Sequence, residues 1–275
     1  MFLKPRMGSG SLPGAVRLNT PSQSHFLRPD ARASPPKPGE SSNSAIPVRQ
    51  ILHLIDHLVY KQKMSSTDAP TPGRRRGRPR KPPGDQTARQ ELIRTGLEYL
   101  TERGYCAVAV DEILRAAGVP KGSFYYHFDS KEDFGGALIG AYNEFFSSKL
   151  RTWFQRADLS PLDRLRGFIS DAEKGMEKHA FRRGCLVGNL GQEMAALPPG
   201  FRSLLSSALS DWQHLTEACL LEAQNQGEIG KHHKPDALAA FFWIGWEGAV
   251  LRAKLEQSPD PLRQFAAGFF ALTSN

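Results

Sequence analysis

The run Val110–Gly135, VDEILRAAGVPKGSFYYHFDSKEDFG, leaves the chain few ways to fold. Ile113, Leu114 and Ala117 share one helical face, and Gly118 then breaks the helix at a point where the backbone needs φ > 0, which glycine adopts at little cost. Val119 packs inward, and Pro120 opens a new helix. Gly122 to Phe128 supply about two further turns. Ser130 is suited to cap a third helix whose first turn carries Glu132 and Asp133, where acids favour the helix dipole. Two short helices about a tight turn, with a third behind them, form the layout of a helix-turn-helix, whose second helix enters the DNA major groove.

Composition divides the chain near residue 84. Thirteen of the 20 prolines precede it, while all four tryptophans and 14 of the 16 phenylalanines follow. Residues 1–83 therefore read as disordered, with one amphipathic stretch over 48–60 (Leu52, Ile55, Leu58, Val59) and with Met64 as a candidate natural start. Charge divides likewise. The run Thr71–Pro83 holds six bases and no acid, whereas residues 84–275 hold 21 bases against 24 acids, so the net +8 belongs to the leading segment. A basic arm over 74–81 beside a DNA-reading motif is an electrostatic handle for phosphates.

The three cysteines, Cys106, Cys185 and Cys219, are far apart and match no metal-ligand spacing, which fits a reducing cytoplasm. The opening MFLKPRMGSG has no apolar signal core, and the most apolar stretch, Ala237–Leu251, contains Glu247 and is too short to span a bilayer. His232-His233 reads as a solvated loop, so neither a metal nor a cofactor is expected.

From Asp85 onward the periodicity is helical throughout and predicts an all-α fold. The expected helices run from Asp85 to about Arg103, from Val110, through the recognition segment, and over Lys131–Phe154. Others open at Pro161, cover Cys185–Leu197 and Phe201–Gln226, run from Pro235 to about Gln257, and cover Pro261–Leu272. The Ala237–Leu255 helix is apolar around much of its circumference, so it must be buried on several sides. Gly245 and Ala249 offer it a strip for close approach. With Phe201–Gln226 it supplies either half of a four-helix dimer interface or a pair internal to one subunit; periodicity leaves both open.

The residues from 86 to 150 resemble the tetracycline-repressor (TetR) family of bacterial transcription regulators, on a first helix ending in Gly104-Tyr105 followed by EILRAAGVPKGSFYYHF and SKEDF. The segments GRPR, LIRTGLEYLTERGY, FRRGCLVGNLGQEMAALP, FWIGWEGAVLRAKLE and PDPL extend the likeness over most of 76–262, toward the members that sense electrophiles and, among these, acrylate-responsive repressors of dimethylsulfoniopropionate catabolism. The resemblance implies a DNA-binding domain over 84–131 and a ligand-binding and dimerisation domain over 132–275. It implies a cytoplasmic, nucleoid-associated homodimer on a palindromic operator, released when a small effector spreads the recognition helices. Two departures stand out: Val108-Ala109 replaces the usual Thr-Ser/Thr cap, and Tyr125-Tyr126-His127-Phe128 replaces Tyr-His-Tyr-Phe.

Lys121, Gly122, Ser123, Tyr125, Tyr126, His127 and Lys131 are the candidate operator contacts, with Arg76, Arg78 and Arg80 of the arm suited to phosphates or an A·T minor groove. Cys185 follows Arg182-Arg183-Gly184 at a helix start, where cations and helix amides favour a thiolate, and is the candidate sensor thiol. A small carboxylate needs an apolar pocket with a few donors. Tyr142, Phe146, Trp153, Phe168, Asn189, Glu193, Trp212, Trp246, Glu247 and Arg252 are its candidate lining, with Arg252 the expected counter-charge of Glu247. No His/Asp partner accompanies Cys185, so no catalytic residue is expected.

Overall fold

The computed structural model describes residues 86–273. The expectations for 1–83, including the arm residues Arg76, Arg78 and Arg80 and the stretch 48–60, lie outside them. Among the described residues there are nine helices and no strand: α1 Gln86–Arg103, α2 Val110–Ala117, α3 Lys121–His127, α4 Lys131–Phe154, α5 Pro161–Glu177, α6 Leu186–Gln192, α7 Phe201–Asn225, α8 Pro235–Glu256 and α9 Asp260–Thr273. The fold is all-α.

The punctuation of α1–α4 is local. Gly118 takes φ 64° at the end of α2, and the Val119 amide reaches back to the Leu114 carbonyl at 3.0 Å, closing the turn. Pro120 stands just outside α3 as its N-cap. The Ser130 hydroxyl accepts the Asp133 amide, and Asp133 in turn accepts the Asp129 amide, so the start of α4 is held from both sides. Phe124, Phe128 and Phe134 form the aromatic centre, with Phe124 edge-on to Phe134 at 5.4 Å.

Ala109, at the N-cap of α2, has extended backbone (φ −87°, ψ 144°) and no capping side chain. The first turn is helped instead by Asp111 and Glu112, the latter paired with Arg103 at 2.7 Å.

The larger bundle packs α4, α5, α7, α8 and α9 around Trp212, Phe168, Phe242, Trp243 and Trp246. Both central indoles are satisfied: Trp212 donates to Asn143 at 2.8 Å and Trp243 to Thr216 at 3.0 Å. Arg164, buried on α5, donates to the Phe154 carbonyl and pairs with Glu222 of α7 at 2.7 Å. Gly245 does not face a second subunit: a Cβ there would overlap the Phe265 ring of α9, so that part of the small-residue strip is filled within the chain.

One helix is shorter than its sequence predicts. α6 ends at Gln192, and 193–196 form tight turns in place of the expected run to Leu197. Glu193 is pulled out of helical service because its carboxylate accepts the amides of Tyr105 (3.0 Å) and Cys106 (2.9 Å), immediately beyond α1. Gly104 permits this twice over, since it has φ 81° and a Cβ there would overlap the carboxylate.

The last carbonyls of α1 are met from the other bundle as well. Asn189 of α6 donates to Leu100 (3.1 Å) and Thr101 (2.7 Å), the Gly184 amide donates to Thr101 (3.0 Å), and Lys254 of α8 donates to Glu102 (2.7 Å). The C-terminus of α1 is thus capped by groups from three separate segments.

The extended Ala109 backbone already suits a capping side chain. Ala109→Thr is therefore expected to raise stability by about 1 kcal/mol, read as a higher urea midpoint at unchanged slope.

Candidate functional site

The exposed face of α3 meets the demands of a groove-reading helix. Tyr125 and Tyr126 are 57% and 58% exposed although aromatic, while Phe124 between them and the inner face is buried. Lys121 is exposed and within 3.2 Å of Asp111, a pairing weak enough for a phosphate to displace. Gly122 is exposed, and Ser123 and His127 are half-buried on the same helix. Lys131 is placed differently: its ammonium donates to the Tyr105 carbonyl at 3.0 Å and lies 4.4 Å from the Tyr105 ring centre. It braces α4 against the end of α1 rather than projecting from the surface.

A second site lies where α1 crosses the larger bundle. A cavity of about 470 Å³ is walled by Leu97 and Thr101 of α1, Tyr142 and Phe146 of α4, Met176 of α5, Cys185, and Trp246 and Val250 of α8. Arg94, Lys149, Lys174, Lys178, His179 and Arg183 stand around it, against the acids Glu98 and Asp171. The size and the apolar wall with a few polar groups are those of a small-molecule pocket. The turn from α5 into this wall is strained, with Ala180 and Phe181 at φ 49° and 54°. The buried Phe181 ring holds it there.

Of the residues expected to line the pocket, Tyr142, Phe146, Cys185 and Trp246 do so. Phe168 stands behind them, 5.8 Å from the Phe146 and Trp246 rings. Trp212 belongs to the core, and Trp153 turns its indole to Asp171 at 3.2 Å. Asn189 and Glu193 are occupied at the end of α1. Arg252 points to solvent and pairs with Glu256, so the expected Arg252–Glu247 pair does not form. Five residues apart on a helix, the two side chains diverge by about 140°. Sequence reasoning missed the α1 wall, Leu97 and Thr101, because α1 was read only as part of the DNA-binding unit.

The electrostatics of the wall also differ from expectation. Arg182 and Arg183 face Glu102 and Glu98 of α1 rather than the Cys185 thiol. Burial first, and the neighbouring Glu247 second, push that thiol well above the usual range, so Cys185 is a thiol and not a thiolate. Burial likewise raises the Tyr142 hydroxyl. Glu247, expected in the lining, stands instead beside both, its carboxylate oxygens shut off from solvent and without a well-formed hydrogen bond, the Cys185 thiol being the neighbour that can donate to them. A Cβ on Gly188 would overlap this carboxylate, so the glycine makes room for it. Burial raises the Glu247 carboxyl to about 7.

Two family models match the chain: the tetR family of bacterial regulatory proteins over residues 92–138, and the tetracycline-repressor-like C-terminal domain over 161–269. Transcriptional regulator AcuR of Cereibacter sphaeroides is 59% identical over 195 residues, which cover 71% of this chain and 89% of that protein. The chain belongs to the TetR family. HTH-type transcriptional repressor DhaR of Mycobacterium sp. strain GP1 is 38% identical over 185 residues, covering 66% and 90% of the two chains. The crystal structure of regulatory protein TetR from Rhodobacter sphaeroides superposes with a TM-score of 0.66 at 59% identity, over 67% of this chain and 97% of that one. This TetR-family chain is a ligand-responsive transcriptional repressor rather than an enzyme. Among the described residues no helix is long and apolar enough to cross a membrane.

Glu247 binds its proton more tightly when folded than when unfolded. Its contribution to stability is therefore greatest below pH 4.5, falls as pH rises toward 7, and stays low above that. Glu247→Gln removes the penalty. It should raise stability by about 3 kcal/mol more at pH 8 than at pH 4, measured by urea unfolding at the two pH values.

Proposed function

We propose that the chain is a homodimeric repressor that holds a palindromic operator and leaves it when acrylate, or a similar short unsaturated carboxylate, enters the cavity between α1 and α8. The observation that carries this reading is that α1, the first helix of the DNA-binding unit, is itself a wall of the cavity. A ligand there presses on the element that carries the helix-turn-helix, and needs no intermediary to reach it. The division of labour is then α1–α3 for DNA, and α4–α9 for effector and dimerisation, in a protein of the cytoplasm and nucleoid. The choice of acrylate rests on the sequence likeness to acrylate-responsive repressors, and the cavity supplies apolar walls for a vinyl group with Tyr142 as a donor.

Dimerisation is supported by an exposed stripe on α8. Phe241, Ile244, Gly248, Leu251 and Leu255 follow a three-four-three-four spacing, with Ile244 75% and Leu255 80% exposed. Such a seam suits a second copy of the same helix. Leu221 of α7 is also exposed and extends the apolar area to the neighbouring helix.

For the operator, the exposed Lys121, Tyr125 and Tyr126 of α3 are the main contacts, with Gly122, Ser123 and His127 beside them and the arm residues Arg76, Arg78 and Arg80 reaching phosphates. A Cys185 thiol held well above its usual range by burial favours a noncovalent switch over a thiol-based electrophile sensor.

The test is the anisotropy of labelled DNA from upstream of the gene, with and without acrylate. Acrylate is expected to release the wild-type protein and Cys185→Ser at concentrations within about threefold of each other, since Ser keeps a donor of similar size. Failure of acrylate to release the wild type would remove it as effector, and loss of release in Cys185→Ser alone would restore the thiol sensor. Lys121→Ala should weaken operator binding about tenfold and lower the salt slope by about one. Ile244→Glu with Leu251→Glu should give a monomer by sedimentation, with operator binding lost.

A further inference from the structure

Glu247 is the one carboxylate among the described residues whose two oxygens are both shut off from solvent with no well-formed hydrogen bond, the Cys185 thiol being the neighbour that can donate to them. Buried polar atoms are ordinarily satisfied, and an acid left bare in an apolar wall costs stability unless it does something there. Its surroundings narrow what that is. The side chain rises from α8 between Trp246 and Val250 in sequence, lies against Gly188 of α6, and has the Cys185 thiol and the Tyr142 hydroxyl of α4 as its polar neighbours. Tyr142, Cys185, Trp246 and Val250 all line the cavity, so the carboxyl stands directly behind its inner wall. No cation faces it. Arg252 is engaged by Glu256 on the outer side of α8, Lys254 is engaged by the carbonyls of α1, and Arg183 is turned to Glu98 and Glu102. His179 is a cavity residue whose own proton affinity is lowered by burial, so it titrates below its usual range.

We infer that Glu247 acts as a neutral acid that donates its proton in a hydrogen bond to the carboxylate of the effector, which enters between Tyr142 and Cys185, so that effector binding takes up a proton near and above neutral pH. This rests on the reading of the cavity as the effector site and adds to it a ligand class and a regulation. The ligand is a monocarboxylate whose anionic end is met by a neutral acid. An O–H···O⁻ bond of this kind is short and stronger than a neutral one, and it satisfies the buried acid and the buried anion together. An ionised Glu247 would instead repel the ligand, so the site opens to carboxylates only with the proton in place. That is consistent with a carboxyl raised to about 7.

The experiment is calorimetric titration of the DNA-free, full-length protein with sodium acrylate between pH 6 and 8.5, in buffers of different ionisation enthalpy. At pH 8 binding is expected to take up close to one proton per protomer, and near pH 6 almost none, while the dissociation constant rises by up to about tenfold per pH unit above 7. Glu247→Gln keeps a donor that does not titrate, so it should bind with affinity within a few fold of the wild type at pH 6, take up no proton, and show a flat pH profile. Glu247→Leu should bind at least tenfold more weakly at every pH. Wild-type binding without proton uptake at pH 8, or Glu247→Gln retaining the uptake, overturns the inference while leaving acrylate as effector. If acrylate gives no binding heat at any pH, sodium propionate is the second probe. Binding with uptake that Glu247→Gln abolishes keeps the inference and discards acrylate alone, and no binding by either acid overturns it.

Discussion

The last turn of α1 ends in carbonyls that α1 cannot satisfy for itself, and almost everything else in the molecule follows from what satisfies them. Asn189, the Gly184 amide and Lys254 reach them from the ligand-side bundle, while Glu193 takes the two amides that come next at Tyr105 and Cys106. The hydrogen bonds made by Lys254 and Glu193 involve a charged group, a kind worth about 1.5–3 kcal/mol. Together they bind the DNA-reading unit to the larger bundle through one helix end. The same helix supplies one wall of the cavity, so pocket and joint are a few residues apart on one rigid rod.

This gives the response a short physical route. Gly184 and Cys185 are consecutive: one caps α1 and the other lines the cavity. A ligand that displaces Cys185 or Leu97 acts on bonds that set the direction of α1, and α2 and α3 follow because Arg103–Glu112 and the Phe124–Phe134 contact tie them to α1 and α4. Coupling between sites needs an element with two arrangements that both sites bias. α1 is the element in contact with both.

Much of the DNA-reading half was legible because its signals are local. A left-handed glycine at Gly118, a capping serine at Ser130 and aromatic residues one turn apart each act on neighbours in sequence, and the structure uses them as such. Helix positions in the larger bundle were also legible from periodicity and proline starts. The end of α6 was not, because Glu193 is taken by amides 87 and 88 residues away. Asn189, Glu193 and Glu247 were all marked as buried polar groups in need of partners, yet nothing in their spacing distinguishes two that hold a helix end from one set behind a cavity wall without a well-formed hydrogen bond. The Arg252–Glu247 pairing failed for a geometric reason already contained in helical pitch.

The sequence alone determined the all-helical class, the helix-turn-helix and its family, since propensity, turn chemistry and amphipathic period act over a few residues and are written in order along the chain. Tertiary structure alone decided that α1 walls the cavity, that Cys185 stays protonated among residues whose cations face elsewhere, and that the Glu247 oxygens are buried without a well-formed hydrogen bond. Those are consequences of burial and of which groups meet across the bundle, and neither desolvation nor a long-range contact leaves a mark on local spacing.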